Sequence, residues 1–114
     1  RISEPAADLG IVLALASSLQ NTALDAGLVA FGEVGLSGEL RRVPQAQRRL
    51  TEAARLGLDR CILPEACTDG LEVPGGMRVT KAKTLREAVR AALGAGGTAK
   101  ASNKADRSSA KQRD

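Results

Sequence analysis

The 114-residue chain has no histidine, tryptophan or tyrosine, and Phe31 is its one aromatic residue. Without histidine there is no Ser-His-Asp or Cys-His catalysis and no imidazole ligand for a metal. Cysteine occurs only at Cys61 and Cys67, so a four-cysteine zinc site cannot be built within one copy of this chain. The shortage of aromatics removes the base-stacking platform that single-strand binders and many RNA modules use. Long apolar runs are missing too. The longest, Leu9 to Ala16, falls far short of the roughly twenty residues a bilayer requires, and no signal peptide is expected before it. The spacing of the two cysteines leaves a disulfide open. Reduced thiols in a cytoplasmic protein are the plainer reading.

What is present is ordinary for a soluble domain: 43% apolar and 26% charged residues, so the core must be aliphatic. A body of roughly a hundred residues buries only about two-thirds of its unfolded surface, which sets modest stability. The chain starts at Arg1 and enters a helical pattern at once, so further structure is expected upstream.

The helix is expected over Ser3–Gln20, with Ser3 as N-cap, Pro5 in the first turn and Asp8 near the positive end of the dipole. Leu9, Ile11, Val12, Leu13, Leu15 and Leu19 make it apolar nearly all round, which predicts burial on most sides. Leu28 to Val34 and Glu39 to Val43 flank Gly35-Leu36-Ser37-Gly38 and predict a β-hairpin. A second helix is expected over Ala46–Leu56, ended by Gly57. Strands follow at Arg60–Leu63 and Met77–Val79. Thr84-Leu85-Arg86-Glu87 is a capping box that opens a third helix, running to about Leu93. Helix, hairpin, helix, strand, strand, helix predicts an α/β (α+β) fold with helices packed on a mixed sheet.

The body spans 1–94. Residues 95–114 hold no large apolar side chain, and a disordered basic tail is expected there. Lys100, Lys104, Arg107, Lys111 and Arg113 stand against Asp106 and Asp114, which accounts for most of the net charge of +4. Basicity in the body is local, at Arg41, Arg42, Arg48, Arg49, Arg55 and Arg60. One reading is a solvated face whose arginine stems cover apolar surface. The other is a patch that contacts phosphates regardless of sequence.

Catalysis without histidine would need another base, usually a Ser–Lys dyad. Lys81 and Lys83 are the body's only lysines, and Ser37, in the hairpin loop, is the hydroxyl to set against them. There is no GxxxxGK[ST] phosphate loop.

The run Gly32-Glu33-Val34-Gly35-Leu36-Ser37-Gly38-Glu39-Leu40-Arg41-Arg42-Val43 resembles the C-terminal Lon-protease-like domain of the bacterial RadA family of DNA-repair proteins. Arg1 to Leu9, Arg49 to Gly57 and Cys61-Ile62-Leu63-Pro64 fit the same domain in order. The resemblance implies a Lon-type fold lacking its first strands. It places Ala6 where Lon peptidases carry the nucleophilic serine, and Gln47 opposite their lysine, so the peptidase dyad is degenerate and no cofactor is expected in this chain. It further implies a parent with a zinc motif and an ATP-driven, Mg-dependent motor. In that parent this domain would aid self-association into a ring and contact single-stranded or branched DNA, with Arg41, Arg42, Arg48, Arg49 and Arg55 as candidate contacts. An active Ser–Lys peptidase and a purely structural oligomerisation module are the alternatives.

Overall fold

The computed structural model describes residues 4–94; the expected cap at Ser3 and the expected tail over 95–114 lie outside the described residues. Pro5–Ala7 forms a 3-10 turn that leads into helix α1, Asp8–Gln20. Strands β1 (Leu28–Ala30), β2 (Glu33–Val34) and β3 (Leu40–Arg41) precede helix α2 (Ala46–Arg55). Strand β4 (Arg60–Pro64), strand β5 (Arg78–Ala82) and helix α3 (Leu85–Leu93) complete the order.

β4 is the centre of a three-stranded parallel sheet, ordered β1-β4-β5. Val29 registers with Cys61, and Cys61 in turn with Val79. Cys61, Ile62 and Leu63 are completely buried, as a continuous apolar run in a parallel strand should be when both faces are covered. Their side chains alternate across the sheet. Cys61 and Leu63 join Leu50 and Ala53 of α2, together with Phe31, Val43 and Met77. Ile62 joins Leu9 and Leu13 of α1 and Ala88 of α3. Helices therefore pack on both faces, in the α/β class expected, with parallel and antiparallel pairing both present.

Three expectations are corrected. Leu28 to Val34 is not one arm of a hairpin. The Phe31 amide still donates to Ile62 of the parallel sheet (3.2 Å), but the Gly32 amide turns to the Ala6 carbonyl (2.9 Å), and β2 then pairs antiparallel with β3 in a separate ribbon. The last strand is Arg78–Ala82 rather than Met77–Val79, because Met77 is taken into the core just before the ladder begins. α1 is not buried on most sides either. Leu9 and Leu13 face the sheet, while Ile11, Leu15 and Leu19 are 57%, 59% and 87% exposed. The sheet offers it one surface and α3 one flank; its outer face has no partner among the described residues.

The helix ends follow local chemistry. Gly57 adopts φ +91°, a conformation that costs other residues energy, and lets its amide and that of Leu58 close on the last turn of α2. Thr84 caps α3 by accepting the Glu87 amide (3.1 Å), while the Glu87 carboxylate accepts from the Lys83 amide (2.7 Å). No helix among the described residues is long and apolar enough to cross a membrane.

Candidate functional site

Ala6 and Gln47, the positions the resemblance sets against the Lon dyad, lie in different environments. Ala6, in the 3-10 turn, is buried among Phe31, Val43 and Leu50. Gln47 lies one residue past Ala46 on α2, and that step of about 100° turns it away from the core-facing stripe. Its amide bonds Glu72 twice, donating to the carbonyl (2.9 Å) and accepting from the backbone amide (2.8 Å). A buried methyl offers no nucleophile, and a carboxamide engaged as donor and acceptor offers no base.

Ser37 and the two lysines are not gathered into one cavity. Ser37 lines a cleft beside α3, whereas Lys81 and Lys83 line a different groove with Leu40 and Arg42. The Ser17 hydroxyl donates to the Thr22 carbonyl, which closes the end of α1.

The arginine cluster divides by partner. Arg41 lies 2.9 Å from Glu39, Arg49 2.9 Å from Glu4 and Arg55 2.7 Å from Glu52. Arg55 and Glu52 form a two-pronged pair, in which the carboxylate holds the guanidinium pKa above its usual value. Arg42 donates to the Ala66 carbonyl (3.2 Å) and, like Arg48, has no carboxylate within ion-pair distance among the described residues. Arg60 does not belong with the others. It is half-buried at the opening end of β4 and donates to the Ala91 carbonyl (2.6 Å), one of the last orphan acceptors of α3. Burial and the neighbouring Arg78 both lower its pKa.

A second group was not visible as a cluster in the sequence. Lys81, in β5, and Lys83, just past its end, line the same side of the chain. With Arg42 they line a groove of about 520 Å³ that also holds Glu65 and Asp69. The groove lies toward the carboxyl ends of the parallel strands, where open α/β sheets generally bind ligands. The alternation Lys81-Ala82-Lys83 was the available signal, but nothing local in the sequence brings Arg42 to it.

A family model for the Lon protease (S16) C-terminal proteolytic domain matches residues 3–95. The chain belongs to this family. It is 44% identical over 94 residues to DNA repair protein RadA of Bacillus subtilis, an overlap of 82% of this chain and 20% of that protein. It is likewise 44% identical over 89 residues to DNA repair protein RadA of Escherichia coli, covering 78% of this chain and 19% of that one. The Haemophilus influenzae protein of the same name is 53% identical over 64 residues, 56% of this chain and 14% of its own length. The chain thus spans about a fifth or less of these relatives. The resemblance read from Gly32–Val43 holds.

Proposed function

We propose that this chain is a non-peptidase Lon-type domain of a RadA-type DNA-repair protein, where it supports self-association of its parent and contacts DNA irrespective of sequence. The observation that carries the first half is the pair of environments at positions 6 and 47: a core methyl and an amide committed to Glu72. The scaffold persists where the proton-transfer groups do not. ATP, magnesium and zinc would be handled by other regions of the cytoplasmic parent.

For the DNA half, the support is the groove lined by Arg42, Lys81 and Lys83. A phosphate reaching Arg41, Arg49 or Arg55 would have to displace a carboxylate already in place. Cations without a carboxylate partner release condensed counterions from DNA when they reach its phosphates, which makes binding steeply salt-dependent. The test is a salt titration of duplex and branched DNA binding with the full-length protein. Arg42→Gln/Lys81→Gln/Lys83→Gln should weaken binding equally across sequences and flatten the salt slope. Unchanged affinity and slope would remove the DNA role and leave a structural module. Solution mass of the full-length protein, with and without this domain, tests self-association; an unchanged mass would count against it.

A further inference from the structure

The cleft that takes in Ser37 lies between α3, the β2–β3 turn and the end of α1, and has a volume of about 630 Å³. Arg86 and Arg90 line it from one face of α3, four residues and about 6 Å apart along the axis. Neither has a carboxylate within ion-pair distance among the described residues, and no acidic side chain lines the cleft. Glu87, the acid on that turn, is bound back to the Lys83 amide. Leu85 and Val89 supply an apolar floor, and the Gln20 amide and Ser37 hydroxyl add neutral hydrogen-bonding groups at the edge.

We propose that this cleft is a phosphodiester-binding site in which Arg86 and Arg90 grip neighbouring phosphates of a nucleic-acid strand. It rests on the DNA-contact reading above and adds a second place to it, on the other side of the Glu39–Thr84 bridge from the Lys81–Lys83 groove. Guanidinium forks match phosphate oxygens, and the neutral groups beside them are of the kind that fix register on a backbone without reading bases. Two observations favour a polyanion over a single carboxylate. The cleft is cationic without internal compensation. The chain that leaves its rim at Gly94 also continues with five basic and two acidic side chains between 98 and 114. That segment shares the sign of the cleft, and net positive charge in the chain favours association with a polyanion.

The experiment compares full-length wild type, Arg86→Gln/Arg90→Gln and the groove triple variant on a mixed-sequence duplex, reading log K against log salt. The cleft variant should bind about tenfold more weakly at low salt. Its slope should fall by about 1.8, at about 0.9 for each phosphate no longer gripped. Arg86→Lys/Arg90→Lys keeps the charge and should keep the slope, which separates a weakened phosphate grip from a damaged fold. If only the groove variant alters the slope, the cleft proposal fails and the DNA reading stands. If neither does, both fail. Inorganic pyrophosphate is the second arm: binding of pyrophosphate that depends on both arginines, with DNA binding unaffected by their loss, would overturn the proposal in favour of a small-anion site.

Discussion

Gln47 and Glu72 exchange two hydrogen bonds across 25 positions of sequence, and this pairing uses both the donor and the acceptor of the carboxamide. Lysine has three donors and no acceptor, so it could reproduce only one of the two bonds. Gln47→Lys should therefore cost about 1 kcal/mol, the net worth of one exchanged hydrogen bond, and loosen the loop over 68–76. Urea denaturation and limited proteolysis in that loop measure the two effects.

Restoring both dyad residue types should not restore cleavage. Ala6→Ser would put a hydroxyl among Phe31, Val43 and Leu50, where an unpartnered polar group costs about 1–3 kcal/mol. The expected result for Ala6→Ser/Gln47→Lys is a lower melting temperature and no hydrolysis of an unfolded protein substrate. Measurable turnover would show that the catalytic geometry survives.

Helix α1 separates apolar residues that matter to this fold from those that do not. Leu13 is buried against the sheet, and Leu13→Ala should cost about 2–5 kcal/mol. Leu19 is 87% exposed, so Leu19→Ser should lie within about 0.5 kcal/mol of wild type in this chain. Chemical denaturation of the two variants tests the burial pattern directly. A large loss for Leu19→Ser would mean that the outer face of α1 is covered in solution.

Much of the fold was legible because local and global signals coincide. The stripe of Ala46, Leu50 and Ala53 finds the sheet, Gly57 ends α2, and Thr84 with Glu87 opens α3. The break at Phe31–Gly32 was not legible. Apolar runs adjoin there, and no local pattern says that the first pairs with β4 while the second pairs with β3. The greater burial expected of α1 has a related cause. Apolar content says that a helix can be buried, whereas the number of elements around it decides how much is. At the candidate site, the type of each arginine was visible but its partner was not. Glu4 lies 45 positions from Arg49, and that pairing changes what Arg49 can offer a phosphate.

Acid should weaken two surface contacts in a predictable direction. Hydrogen bonds from its own backbone amide and from Arg41 hold the Glu39 pKa below its usual value, and Arg55 does the same for Glu52. Each carboxylate is more acidic folded than unfolded, so its contribution is present above about pH 4.5 and is lost as pH falls through the lowered value. Glu39→Gln/Glu52→Gln should flatten the acid side of the stability–pH curve and leave it unchanged in shape above about pH 6. The effect should be small, because both groups are solvent-exposed. Glu39 has a further structural tie: a Cβ at Gly35 would collide with its carboxylate, so Gly35→Ala should push that exposed side chain aside and loosen its contacts with Arg41 and the Ser37 amide.

Cys61 should be silent to thiol reagents in the folded protein. It is free and completely buried in β4, and burial, with Cys67 nearby, pushes its pKa up to about 12. The thiolate is the reactive form, so near pH 8 only about one molecule in ten thousand would present it, even before access is considered. Iodoacetamide followed by peptide mass mapping should leave Cys61 unmodified in native protein and modify it fully in urea. The same shift sets an alkaline limit. A thiol protonated more tightly in the folded state contributes stability below the unfolded pKa of about 9, and that contribution declines as pH rises toward 12. Cys61→Ala should remove this alkaline decline while lowering stability at neutral pH through the cavity it leaves. Rapid labelling of Cys61 at about pH 8 in native buffer would show instead that β4 opens to solvent.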